Sequence, residues 1–224
     1  KKDWESPSVA LAHAEREALR TGDIVLTMVQ DSLQLFRAED PELFQSIKDR
    51  DDKVDLLNRE IKFYITDLME AVGSASHLHL QLIRILNTVS DFEKTADVID
   101  NNLCELAAKK HSLKLEFSKE GLSELEQMHE ALVQLATVSL GAFQRQDKDL
   151  AGQVLFIKRK IRKLEKSLIE SHIERLVHNR RESMQTSSIH IDLLGEYRRM
   201  AGLLSNHVYS LLKESDSYNI LPRR

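Results

Sequence analysis

Apolar and small residues recur three and four positions apart along six long stretches of this chain, the spacing that keeps one stripe of an α-helix turned toward its neighbours. The first stretch is announced by Ser6-Pro7, a capping residue followed by proline at the first helical position. Its stripe runs Leu11, Ala14, Ala18, Thr21, Val25, Met28, Ser32 and Leu35. Asp40-Pro41 repeats the start signal, and the second stripe is Ile47, Val54, Leu57, Ile61, Tyr64 and Leu68, ended by Gly73. Ser74 caps a third helix carrying Leu78, Leu82, Ile85, Val89, Phe92, Ala96, Ile99, Leu103 and Leu106. From Lys109 to Phe117 the period breaks, which predicts a connection. Ser118 then caps a fourth helix with Leu125, Met128, Leu132, Leu135 and Ala142. Asp147 or Asp149 opens a fifth with Val154, Ile157, Ile161, Leu164 and Leu168, and Ser187 or Ser188 a sixth with Leu194, Tyr197, Ala201, Leu204, Val208 and Leu211.

A 3–4 alternation held over several turns is what antiparallel bundles require. Sliding the chain on itself by about 106 residues sets Val54, Leu57 and Ile61 against Ile161, Leu164 and Leu168, and Phe92 and Asn101 against Tyr197 and Asn206. The expected fold is therefore all-α, with six long helices forming two pseudo-symmetric three-helix bundles, residues 1–112 and 113–224, joined around residues 109–118.

Composition sharpens this picture. Among 224 residues there are only 7 Gly and 3 Pro, too few for the turns of a β sandwich or barrel. Charged residues make up 30% and aromatic residues 5%, as suits amphipathic helices with solvated outer faces. A formal net charge of −4 supplies no global field for a nucleic-acid backbone, so no nucleic-acid partner is expected. The single Cys104 cannot form an internal disulfide, in keeping with a reducing, cytoplasmic setting. No apolar run approaches the ~20 residues that span a bilayer. The chain begins Lys1-Lys2-Asp3-Trp4 rather than with Met, as a piece of something longer would.

Nucleophilic catalysis has no foothold here: there is no Gly-x-Ser-x-Gly turn, no Gly-rich phosphate loop and no strand to carry either. A di-iron oxidase would need two Glu-x-x-His pairs on facing helices, and only Glu126 with His129 fits. Cys104, beside a core stripe, reads as a small buried hydrophobe. What remains is acids spaced four apart, one turn from each other on a single face. Asp51/Asp55 and Glu93/Asp97 lie on the shoulders of adjacent stripes, where antiparallel packing would bring them together. Their repulsion can be relieved by basic side chains or by a bound cation, and carboxylates without Cys or His select the hard ions Mg, Mn, Fe or Ca over structural Zn. Under the internal offset Asp51 and Asp55 fall on Lys158 and Arg162, and Glu93 and Asp97 on Arg198 and Gly202, so any cation site is one-sided. Lys158, Arg159, Lys160, Arg162, Lys163 and Lys166 make the fifth helix strongly basic. It suits a solvated face, an anionic inner-membrane surface or the acidic half of another copy.

The run Asp91-Phe92-Glu93-Lys94-Thr95-Ala96-Asp97-Val98-Ile99-Asp100-Asn101-Asn102-Leu103, with Glu105-Leu106-Ala107 and Lys109-Lys110 after it, resembles the PhoU family of phosphate-uptake regulators. Asp51-Asp52-Lys53-Val54-Asp55 resembles the companion signature one helix earlier. Ser8-Val9-Ala10-Leu11-Ala12, Phe117-Ser118-Lys119-Glu120-Gly121 and Ser187-Ser188-Ile189-His190-Ile191-Asp192-Leu193-Leu194 are similar to the PhoU-like cytoplasmic tails of bacterial sodium/phosphate cotransporters. Thr95-Ala96 departs from the family pattern, which has an apolar residue and Gly there.

The resemblance implies two three-helix bundles and cation binding through Asp51, Asp55, Glu93 and Asp97. It further implies a non-enzymatic regulatory role at the cytoplasmic face of the cell membrane. The implied partners are the transmembrane part of a sodium/phosphate transporter and further copies of the chain. The alternative it leaves open is a free-standing adaptor between a phosphate transporter and a sensor kinase.

Overall fold

The computed structural model describes residues 6–72, 78–177 and 184–212. The helices are α1 (Pro7–Asp31), α2 (Pro41–Val72), α3 (His79–Asp97), α4 (Cys104–Ser112), α5 (Lys119–Arg145), α6 (Lys148–Val177) and α7 (Ser187–Leu204). A short 3-10 turn (Gln34–Phe36) follows α1, and a π turn (Val98–Leu103) fuses α3 to α4. Among the described residues there is no strand.

The start signals work as their chemistry dictates. Asp40 Oδ1 accepts from the Glu42 and Leu43 amides at 3.0 and 3.2 Å, Ser118 Oγ from Gly121 at 3.1 Å, and Asp147 Oδ1 from Asp149 and Leu150 at 2.8 and 3.0 Å. Each satisfies amides that a first helical turn leaves without partners. Ser6 precedes Pro7 in an extended conformation but makes no side-chain cap. Gly73 and Ser74 lie outside the described residues.

Helices α1, α2 and α3 pack on one another, as do α5, α6 and α7; α1 lies against α5 and α3 against α7. The larger apolar cluster draws on both halves, from Val25 and Phe92 to Leu132, Ile161 and Tyr197, and a smaller one fills the far end of α1–α3. Polar contacts stitch the halves together: Ser32 Oγ donates to the fully buried Tyr197 hydroxyl at 3.4 Å, and Asn102 Nδ2 to Glu196 Oε1 at 2.8 Å. At Gly22 the helices come so close that a Cβ would stand 2.6 Å from Leu140 Cδ1 and 3.0 Å from the Phe92 ring.

Two expectations need correction. The α2 stripe is a strict heptad, Ile47, Asp51, Val54, Asn58, Ile61, Ile65 and Leu68, all buried, while Leu57 and Tyr64 are half-covered. A polar residue at a buried seam position is invisible to a search for apolar periodicity. The third helical rod also does not stop at Lys109. It continues to Ser112, and only residues 113–118 connect the halves. The π turn, wider than an α turn, moves the stripe by one place, so that Ala107 and Lys110 are buried beyond Leu103 and Leu106 is half-exposed.

Candidate functional site

The heptad of α2 carries Asp51 into the interface with α3, where a Leu would ordinarily sit. Asp51 is 8% exposed, and its Oδ1 is buried without a hydrogen-bond partner. Asp55, one turn on, is exposed; Glu93 and Asp97 on α3 and Asp100 in the π turn are half-buried. Burial, reinforced by Asp100, Asp55, Asp97 and Asp52, pushes the Asp51 carboxyl up to about 7. Asp55 is raised by burial and by Asp97 and Asp52, with Lys62 opposing. Burial and Asp97 raise Glu93, again against Lys62. Asp100 is raised by burial, with Lys48 opposing and Asp52, Asp97 and Asp55 adding.

These repulsions cross from α2 to α3, so the four acids expected from the sequence occupy one neighbourhood. Asp51 sits inside the seam rather than on its shoulder. Two members were missed, Asp52 and Asp100. The signal for Asp100 was its place one turn after Asp97, and the π turn sits at that point in the rod, as π turns often do at functional positions.

Among the described residues, no Lys or Arg comes within ion-pair distance of Asp51, Asp55, Glu93, Asp97 or Asp100. The orphaned Asp51 oxygen and the all-carboxylate donor set fit a hard cation. As the side chains stand, however, no group of three or more His, Cys, Asp or Glu among the described residues is arranged to hold a metal ion. Cys104 lies at the edge of the cluster, its thiol pushed up to about 12 by burial, Asp100 and Asp51, which makes it a hydrophobe and not a thiolate ligand.

The second half places different chemistry in its core. Glu124 on α5 meets Arg175 on α6 through two hydrogen bonds of 2.6 and 2.5 Å, and Arg175 also donates to Ser171 Oγ at 2.9 Å. His172 stacks on His190 of α7 with ring centroids 4.6 Å apart, and its Nε2 is 2.9 Å from Ser187 Oγ. Burial works to raise Glu124, but contacts from His190, Arg175 and Ser171 hold it at about 2. Burial, then His190 and Arg175, lowers His172 to about 4. His190 Nε2 lies 3.2 Å from Glu124 Oε2 without the alignment of a hydrogen bond, and neither ring nitrogen has a hydrogen-bonded partner. Glu124 and Arg175 offset each other's charge, and together with Ser171 they form the floor of an open cleft between α5 and α6. Nothing in the apolar pattern announced it.

The lone Glu126/His129 pair resolves into scaffolding. His129 Nε2 meets the Val29 carbonyl at 2.9 Å with its ring against Tyr197, and Glu126 accepts from Arg37 at 2.6 Å. Both halves of the oxidase motif are thus occupied by contacts that join the two bundles.

The acidic neighbourhood falls inside residues 18–106, which match the family model of the PhoU domain. Over those residues the chain is similar to the PhoU domain. Two solved structures extend the likeness in fold to nearly all of it. PhoU from Pseudomonas aeruginosa superposes with a TM-score of 0.84 at 19% identity, covering 95% of this chain and 100% of that one. The phosphate transport system regulatory protein PhoU from Streptococcus pneumoniae gives 0.78 at 18% identity over 97% of this chain and 100% of that one.

In sequence the chain is 28% identical over 212 residues to the Salmonella typhimurium protein named "Putative inorganic phosphate export protein YjbB", and 27% identical to its Escherichia coli K12 counterpart. The match takes in 95% of this chain and 39% of each relative, so the chain spans about two-fifths of their length. No helix among the described residues is long and apolar enough to cross a membrane.

Proposed function

We propose that this chain is a non-enzymatic, PhoU-type regulator of phosphate transport whose α2/α3 carboxylates hold a hard cation. The observation that carries the cation reading is Asp51: a 92%-buried carboxylate with an unpartnered oxygen, among acids with which no Lys or Arg of the described residues forms an ion pair. Asp51, Asp55, Glu93 and Asp97 would hold Mg, Mn, Fe or Ca, with Asp100 beside them. A bound divalent ion would supply the charge that the site lacks, favouring the packed arrangement of α2 against α3 over looser ones. A regulator works by binding one state of its partner better than another, and a cation-dependent helix pair is a means of changing that preference.

Calorimetric titration of metal-free protein with each ion tests the site, with Asp51→Asn and Glu93→Gln as controls. Heat and one-to-one binding lost in both variants are expected. If no ion binds, the cation site is wrong and the regulatory reading stands on the family match alone.

Two attachments suit the regulatory role. The length of the PhoU proteins, fully covered by this chain, favours a separate adaptor that contacts a phosphate transporter and a sensor kinase. The longer relatives named for phosphate export favour a regulatory portion joined to a transport protein, such as a sodium/phosphate symporter, at the cytoplasmic face of the cell membrane. Several apolar segments of about 20 residues in the reading frame upstream of Lys1 would decide for the joined form; a nearby start codon would decide for the adaptor.

A further inference from the structure

The outer face of α6 has a character found on no other described helix. α6 packs against α5 and α7 and turns its remaining face outward. On that face Arg159, Lys160, Arg162, Lys163 and Lys166 are all exposed. Among the described residues the first four have no ion-pair partner, and Lys166 has only Glu170 at 3.8 Å on its own helix. Glu165, the one acid between Leu150 and Glu170, is drawn off to Arg198 of α7 at 2.8 Å. In the same face stands Phe156, 64% exposed, and further along the rod are Ile173 and Val177, 50% and 74% exposed. Cations therefore occupy the middle of the face, with Phe156 toward one end and, at the other, Ile173 and Val177 beside the exposed acids Glu170 and Glu174.

From this arrangement we propose that the α6 face docks on an anionic phospholipid surface, the basic side chains among headgroups and Phe156 at the acyl boundary. A 30-residue helix lying flat presents all these groups at once. A second copy of the chain fits less well. The exposed face of α2 alternates in sign, with Asp49, Asp52, Asp55 and Glu60 among Lys48, Lys53 and Arg59, and Asp51 is withdrawn from it. A bilayer supplies mobile charges of a single sign and an apolar layer beneath them, which matches both features of α6. The proposal does not depend on the cation site or on attachment to a transporter.

The test is flotation of the whole chain with phosphatidylcholine vesicles and with vesicles containing about a third phosphatidylglycerol. Binding to the anionic vesicles alone is expected, weakening as salt rises, with inorganic phosphate competing no better than chloride of equal ionic strength. Replacing Arg159, Lys160 and Lys163 by Ala should weaken partitioning about a hundredfold, at about fivefold per cation removed. F156S should weaken it at every salt concentration. The pair Lys53→Ala and Arg59→Ala, on exposed α2, should leave it unchanged. Circular dichroism and sedimentation velocity on each variant separate lost docking from lost fold. Equal binding to neutral vesicles, no binding to anionic ones, or a triple variant that binds as wild type would overturn the proposal. So would a wild type that ignores vesicles but self-associates through these same three residues, since the occupant would then be a second copy.

Discussion

Arg175 holds Glu124 with both terminal nitrogens of its guanidinium, at 2.6 and 2.5 Å, in a place where both side chains are more than nine-tenths buried. Two charges withdrawn from water in this way depend on each other. Removing one leaves the other buried and unpaired, which in comparable sites costs about 3–5 kcal/mol, whereas replacing both by apolar groups of similar volume is often neutral. Glu124→Leu or Arg175→Met alone should therefore destabilise strongly, and the double variant should recover most of the loss. A double-mutant cycle by urea denaturation measures this; simple additivity would show that the pair is not coupled.

Asp51 sets an opposite dependence in the first half. Its carboxyl, at about 7 in the folded chain and near 3.8 when unfolded, keeps its proton on folding between those values. The folded state then binds more protons than the unfolded one, so this contribution to stability is complete below pH 4 and is lost as pH rises through 7. In chelator-treated protein, Asp51→Asn should be the more stable form at pH 8, by on the order of 2 kcal/mol, and the advantage should vanish near pH 4. Paired denaturation curves across that range are the check.

His172 runs the other way. Held at about 4 against an ordinary 6.5, it folds without the proton that the unfolded chain takes up, as does His207, also lowered to about 4 by burial and by Arg84 despite its bond to the Ser139 carbonyl. Their contributions are present above pH 6.5 and are lost as pH falls toward 4. NMR titration of the imidazole protons should find both rings neutral at pH 6. A midpoint above 6 for either would show that its packing is looser than described.

Phe92 tests the joint between the bundles. It is 3% exposed, lies edge-on to Phe143 at 6.4 Å, and reaches across to Gly22. Truncation to Ala should cost about 3–5 kcal/mol in denaturant unfolding. A loss below 1 kcal/mol would mean that the α1, α3 and α5 contact closes over the gap.

How much of this could be read from the chain follows from what periodicity reports. All eight positions of the first stripe and all six of the last are buried as expected, because apolar spacing and core position are one physical fact there, although Ser32 and Leu35 lie past the end of α1 and Val208 and Leu211 past the turn at 205–207 that ends α7. Asp51 and Asn58 were misplaced for the same reason: they hold seam positions without being apolar, and neighbours such as Leu57 and Tyr64 took their places in the reading. The four candidate acids were legible as pairs one turn apart and do share a neighbourhood. The Glu124, Arg175, His172 and His190 core was not legible, since its other members stand 48 to 66 residues from Glu124 and, apart from His172 and Arg175 one turn apart on α6, no local spacing links them.

The π turn leaves the rod from His79 to Ser112 holding one residue more than a regular helix would need. That surplus is slack in the winding. Deleting Ile99 would let the backbone tighten into one unbroken spiral, and Asp100 would swing by about 100° relative to Glu93. The present bearing of Asp100 toward the other acids and a regular helix are thus alternatives, and this chain has kept the first.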